Sequence, residues 1–269
     1  MNTCGIIFLF RGGNLGAKAP RGGVPLERKE RLEEEFDSAD QGQALTDYAY
    51  VTEAIAVNYS LMADELALLG DFSKGRGLDI GSGLGDLAIE VAQRYPGLAL
   101  TGIDISAQAA VIAREKAKNK NLKIIDFRLA DVHELPFISA SMDLVVSHGA
   151  IHHLRDLRQA LAEIYRVLKP KGLAYLSDLR RDAPEEIVNE IAQNLPKSPA
   201  GAFIHSVNAA YTPLELEGIL AGLKLTDFSV SPQKFSRATI FKNKDKLRSL
   251  SMRKADYTRI SQTVLIRKT

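Results

Sequence analysis

Apolar and polar positions in this chain switch repeatedly between a period of two and a period near 3.6. Leu78 and Ile80 are spaced as in a strand, whereas Leu84, Leu87, Ala88, Val91 and Ala92 keep the three-and-four spacing of a helix. Leu98, Leu100 and Ile103 return to the strand period. Upstream, Val51, Ile55, Leu61, Met62, Leu66 and Leu69 predict helices between Tyr48 and Leu69 that lead into the sheet. Downstream, the pattern predicts a helix over Glu185–Leu195 stopped by Pro196, and another over Pro213–Leu220. Strands are expected over Leu223–Val230 and Thr263–Arg267. Strands alternating with helices make an α/β fold.

The turn after the first strand carries the chemistry. It reads Asp79-Ile-Gly81-Ser82-Gly83-Leu-Gly85-Asp86, and the helical pattern starts directly after it. Glycines let a strand turn tightly into a helix and let a ligand lie against bare backbone. The first turn of the helix offers unpaired N–H groups to a polar or anionic ligand. Asp104 ends the second strand, where a carboxylate can accept both hydroxyls of a ribose. Together these residues imply a nucleoside-containing cofactor. The dinucleotide fingerprint has its second and third glycines three apart. Here they are two apart, and Asp79 would repel a pyrophosphate but suit a ligand with a positive amino group and a sulfonium.

With these residues the chain resembles the class I S-adenosylmethionine-dependent methyltransferases. Asp79, Gly81, Gly83 and Gly85 match their first motif, and Asp104 matches the acidic residue after their second strand. Phe127-Arg-Leu-Ala130-Asp131-Val132 matches the end of the third strand, where an acid reads the adenine amino group and an apolar neighbour packs on the ring. Ser141–Ala150 matches the fourth strand and its exit, and Leu161–Gly172 matches a helix, its proline stop and the glycine that opens strand five at Leu173–Leu176. The resemblance covers roughly residues 55 to 180 well and the C-terminal part loosely. It implies an α/β, doubly wound, mostly parallel seven-stranded Rossmann-like sheet with an N-terminal helical cap. It implies S-adenosyl-L-methionine as cofactor, held by Asp79, Gly81, Ser82, Gly83, Asp104, Ile105, Ala130, Asp131, Val132 and Ser147. The reaction it implies is in-line attack of an acceptor on the sulfonium methyl, so the protein chiefly aligns and desolvates the reactants.

A general base helps where the acceptor must lose a proton, and histidine is the usual one. His148 directly follows strand four, at the carboxyl edge of the sheet, and is the leading catalytic candidate; a backbone contact to the cofactor is the alternative for the same residue. His152 and His153 open the next helix and read as capping or packing residues, His133 as structural, and His205 as a residue that reaches in from a lid. No metal is expected, since no third ligand stands at a metal-binding offset.

Composition narrows the partners. The chain has 269 residues, 45% of them apolar, and a net charge of +2, too small to imply nucleic acid or membrane by itself. A single cysteine, Cys4, excludes an internal disulfide and suggests a reducing compartment. The apolar run Gly5–Phe10 is too short to span a bilayer and lacks the marks of a signal peptide, so a cytoplasmic protein without membrane attachment is expected.

Residues 1–30 read as a flexible, glycine-rich tail with two Arg-Gly-Gly triplets, 31–70 as the helical cap, and 71–269 as the methyltransferase domain. Two insertions depart from the minimal fold. Residues 180–213, with Phe203, His205 and Tyr211, are where such enzymes place a substrate lid. Residues 234–259 hold nine Lys or Arg against Asp245 and Asp256 and are expected to form a solvated face or structural contact. Tyr48, Tyr50 and Tyr59 line the acceptor pocket or are half-buried helix residues. The leading function is methyl transfer to a small-molecule acceptor. The alternatives are methylation of RNA or protein, and a cofactor-binding regulator without catalysis.

Overall fold

Seven strands form one sheet in the order β3-β2-β1-β4-β5-β7-β6 in a computed structural model that describes residues 56–243 and 259–269. The strands are β1 Gly75–Ile80, β2 Leu98–Asp104, β3 Ile125–Leu129, β4 Met142–His148, β5 Leu168–Leu179, β6 Phe228–Pro232 and β7 Ser261–Arg267. Strands β1 to β5 pair in parallel, and β7 runs antiparallel between β5 and β6. The order reverses between β1 and β4, where crossovers leave in opposite directions and open a crevice at the carboxyl ends of the strands.

The strands β1, β4 and β5 are buried on both faces, and their side chains divide between two cores by strict alternation. Leu98, Leu100, Phe127, Leu144, Val146 and Tyr175 face helices α1 (Ala56–Leu69), α2 (Asp86–Arg94) and α3 (Ala107–Asn119). Leu78, Ile80, Ile103, Val145, Leu176 and Val264 face α4 (Leu157–Val167) and a later helix, Pro213–Gly222. The α2 register follows the sequence spacing, with Leu87, Ala88, Val91 and Ala92 buried and Asp86 and Glu90 at its margin.

Four local features differ from expectation. His152 and His153 lie in a separate one-turn 3₁₀ helix, Ile151–His153, and α4 starts only at Leu157, capped by Asp156. The lid region holds two helices, α5 (Glu185–Gln193) and α6 (Lys197–Ala209), of which the second was not expected. Pro199, Phe203 and Val207, four apart, are buried along α6, and Phe203 and Val207 pack with Ile187, Val188 and Ile191 of α5 and with Ile260 in a small separate core. The next helix, α7 (Pro213–Gly222), ends in a turn with Lys224 at φ 60°, so β6 begins at Phe228 instead of Leu223. Finally, Arg237–Lys242 forms a short helix, α8, in the basic insertion.

That insertion is tied to the cap where it is described. The buried carboxylate of Asp64 on α1 accepts from Arg94 at 2.7 Å, Lys242 at 2.6 Å and the Asn243 side chain at 2.7 Å. Neighbouring Glu65 accepts from the Ser236 N–H and the Thr239 hydroxyl. The expected tail 1–30, Tyr48, Tyr50 and residues 244–258 of the basic stretch lie outside the described residues.

Gly85 shows why the turn after β1 needs glycine. It sits at φ +82°, and a Cβ there would lie 2.7 Å from Phe127 Cζ and 2.9 Å from Ala113 Cβ. Gly85→Ala is therefore expected to destabilise the fold by about 2–4 kcal/mol, through left-handed strain and overpacking together. Gly201→Ala, in open space on α6, is expected to be neutral or to stabilise by up to about 1 kcal/mol. Urea denaturation of both variants checks this, and equal midpoints would contradict it.

Candidate functional site

The loops that follow β1 and β2 meet on one side chain. Asp104 Oδ2 accepts the Gly83 N–H at 2.8 Å, and Oδ1 accepts the Ser106 N–H at 2.9 Å. The Ser82 N–H donates to the Ile103 carbonyl at 2.9 Å, and Gly85 closes the turn on the Ser82 carbonyl at 2.8 Å. Ser106 then caps α3 by accepting the Ala109 N–H. Burial pushes the Asp104 carboxyl up, and the Ser106 and Gly83 N–H groups partly offset this. A carboxylate has about four acceptor sites, so these donors leave capacity for a ligand hydroxyl.

Asp79 stands two residues before this turn and is 1% exposed. Burial holds its carboxyl well above the usual carboxylate range, the nearby Asp104 adds to this, and the Ala88 N–H of α2 opposes it. Its Oδ2 and the hydroxyl of Ser82 are buried without a hydrogen-bond partner among the described residues. Orphaned buried polar atoms are costly and call for explanation. Both line a crevice with Tyr59, Gly81, Asp86, Leu87 and His148. A ligand ammonium fits such a pair of acceptors, and a pyrophosphate does not. The glycines serve the protein's own packing as well as a cradle: a Cβ on Gly81 would stand 2.5 Å from Ala150 Cβ, as one on Gly85 would meet Phe127.

The remaining expected contacts are distributed unevenly. Ile105 and Leu129 are 59% and 61% exposed, and adjoin across the paired ends of β2 and β3, so they form the open apolar flank of this end of the sheet. Leu129 was not anticipated, although its place at the end of β3 was a usable signal. Ala130 donates its N–H to the Asp104 carbonyl, and Val132 lies in the core. Asp131 Oδ1 meets the His133 N–H and Nδ1, and Oδ2 takes Arg155 at 3.1 Å. Burial alone would push the Asp131 carboxyl up, but these partners hold it below the usual range. The Ser147 hydroxyl donates to the Ile80 carbonyl inside the sheet.

Three histidines gather at the ends of β4 and β5. The half-buried His148 ring packs edge-on to Tyr59, with centroids 5.1 Å apart. Burial pulls its pKa from 6.5 down to about 4, against the opposing charge of Asp178. His152 is buried, and Asp178 grips it twice, at Nδ1 (2.7 Å) and at the backbone N–H (2.9 Å). His153 stacks on that ring at 4.1 Å. Asp178 escaped the sequence analysis, and its signal was a carboxylate at the ligand-binding edge of β5. His205, expected to reach inward, is exposed on α6.

Comparison with known proteins adds identity to geometry. A family model described as a methyltransferase domain matches residues 78–176. The demethylmenaquinone methyltransferase of Deinococcus radiodurans is 35% identical over 149 residues, which cover 51% of this chain and 60% of that one. The chain thus spans less than two thirds of the length of this curated relative. Among solved structures, a candidate S-adenosylmethionine-dependent methyltransferase of Methanococcus maripaludis superposes with a TM-score of 0.62 at 21% identity, covering 84% of this chain and 93% of that one. The plantazolicin methyltransferase BpumL, crystallised with a substrate analogue and S-adenosylhomocysteine, superposes with a TM-score of 0.67 at 19% identity, covering 87% and 93%. At these identities the structures share the fold.

The depressed pKa of His148 has a definite sign. The folded chain binds this proton more weakly than the unfolded chain, so the ring's contribution to stability is complete above about pH 6.5 and is lost as pH falls toward 4. An NMR titration of the His148 ring should give a midpoint near 4, and His148→Phe should lessen the acid loss of stability between those values. A midpoint at or above 6 would contradict the environment described.

Proposed function

We propose that this chain, a class I S-adenosylmethionine-dependent methyltransferase by its match to the methyltransferase domain over residues 78–176 and by its relatives, transfers the methyl group of S-adenosylmethionine to a small-molecule acceptor. The observation that carries this reading is the pair of orphaned buried acceptors, Asp79 Oδ2 and Ser82 Oγ, under a glycine turn at the reversal of strand order. They suit the amino group of the methionine moiety. Asp104 takes the ribose hydroxyls, Ile105 and Leu129 flank the adenine, and Gly81 and Gly83 present backbone. Asp131 shares its carboxylate between its own partners and the adenine amino group, while Ala130, Val132 and Ser147 shape the wall behind.

The cofactor supplies a methyl group already activated on a sulfonium. The protein's task is to align and desolvate the acceptor, which is the larger part of such catalysis. His148 and Tyr59 face the acceptor. With a pKa near 4, His148 is neutral at physiological pH and presents a lone pair to an acceptor hydroxyl. It orients and polarises that hydroxyl, and it is too weak a base to keep the proton. A hydroquinone is the acceptor class we favour, by analogy with the demethylmenaquinone-modifying relative.

Residues 180–213 act as the lid: α5 and α6 share a core separate from the main ones, and α6 rests on the 151–153 turn. We place the protein in the cytoplasm on the strength of its single cysteine; no described helix is long and apolar enough to cross a membrane. Nucleic acid is disfavoured as acceptor, since Lys242 is committed to Asp64 and the net charge is near zero.

Incubation with radiolabelled S-adenosylmethionine and three acceptor pools (a demethylated hydroquinone, total RNA, total protein) tests this reading. Label should enter the hydroquinone, and Asp104→Ala should cut turnover at least tenfold by removing the ribose acceptor. In the same samples, hydrogen exchange in 180–213 should slow when cofactor and acceptor are both present. Label in RNA or protein alone would overturn the acceptor assignment, and binding without transfer to any pool would make the chain a regulator.

A further inference from the structure

Asp79 lines the crevice, Asp104 holds the adjoining turn through the Gly83 N–H and acts on Asp79 by its charge, and among the described residues no cation pairs with either. Around Asp79, from α2 come the Ala88 N–H and Asp86, whose charge is balanced by Lys116 of α3 at 2.8 Å. From β2 comes Asp104, from β4 the neutral His148, and from α1 the phenol of Tyr59. Every one of these described neighbours is therefore negative, neutral or already paired. Two carboxylates desolvated side by side do not both ionise readily, because burial and mutual repulsion both penalise the charged form. Asp104 has the Gly83, Ser106 and Ile105 N–H groups as donors, while Asp79 has the Ala88 N–H and an orphan oxygen. Of the two, Asp79 is the one that burial and its neighbours drive further toward the neutral acid.

We propose that Asp79 makes the crevice selective for ligands that bring positive charge, by holding a proton while the crevice is empty and releasing it to solvent when a cationic ligand arrives. The O–H bond of the carboxylic acid breaks, the proton passes to buffer, and the carboxylate left behind pairs with the ligand's ammonium. Binding of S-adenosylmethionine is then a proton-for-cation exchange. A neutral or anionic nucleoside gains nothing from the exchange and is rejected. The proposal rests on the cofactor reading above and goes beyond it, because a site of fixed charge would bind the same cofactor without moving a proton.

Calorimetric titration of the whole chain with S-adenosylhomocysteine, which keeps the ammonium, in phosphate and in Tris at one pH reads the proton directly. The binding enthalpy should differ between the buffers by up to one proton's worth of buffer ionisation. Affinity should rise by up to tenfold per pH unit below the site's midpoint. Asp79→Asn should bind more weakly and lose both dependences, whereas Ser82→Ala should weaken binding and keep them.

Stability of the empty protein gives an independent reading. A carboxyl raised in the fold contributes stability that is complete below the unfolded value of 3.8 and is lost as pH rises through the folded value. Asp79→Asn should therefore raise the melting temperature of the empty protein at pH 8 while weakening binding; a merely structural Asp79 would lower both. Tight wild-type binding with equal enthalpies in the two buffers overturns the exchange and leaves the cofactor reading standing. Failure to bind S-adenosylmethionine or S-adenosylhomocysteine at any pH overturns both.

Discussion

One carboxylate joins the two loops on which this site is built. Asp104 accepts N–H groups from Gly83 and from Ser106, so the turn after β1 and the start of α3 are positioned by a single side chain at the end of β2. Charge-assisted bonds of this kind are short and directional. The turn they fix carries Ser82 and follows Asp79, and its far end starts α2 at Gly85. Were the Asp104 carboxylate lost, the turn would lose its tether. Phe127 backs the same arrangement from the core, filling the space that Cβ atoms on Gly85 and Gly102 would need. Sheet register, glycine turn and binding surface are thus one construction.

Acidic groups collect along the carboxyl edge of the sheet, and the way each is balanced separates scaffold from site. Asp86 is paired with Lys116, Asp131 with His133 and Arg155, and Asp178 with His152. Those carboxylates hold elements together. Among the described residues Asp79 and Asp104 are served by backbone N–H groups alone, and the orphaned oxygen of Asp79 belongs to the lining of the crevice. Buried polar groups lacking partners are rare in folded proteins because they cost stability. Their occurrence at the strand reversal, where open α/β sheets bind ligands, is the physical basis for placing the function there.

Local spacing carried much of this arrangement. Asp79, the three glycines and Asp104 were readable because a strand, a turn, a helix and a second strand follow one another within thirty residues. The contacts that escaped join distant positions. Asp178 reaches His152 only once β5 is laid beside β4, and Asp64 reaches Lys242 across almost the whole described chain. The second lid helix was obscured by Pro196 and Pro199, although Pro199, Phe203 and Val207 already stood four apart. The hydroxyl of Ser147 and the isopropyl group of Val132 show a different limit: the sequence puts both near the carboxyl ends of the strands but does not tell which way each side chain turns.

In the proposed function the crevice at the reversal of strand order holds the methyl donor by its charged and hydroxylated ends. A crystal structure of the chain with S-adenosylhomocysteine tests this most directly. The ligand's ammonium should lie on Asp79 and Ser82, its ribose hydroxyls on Asp104, its adenine between Ile105 and Leu129, and its sulfur facing His148 and Tyr59. A ligand bound elsewhere, or seated there with Asp79 and Asp104 making no contact to it, would contradict that placement.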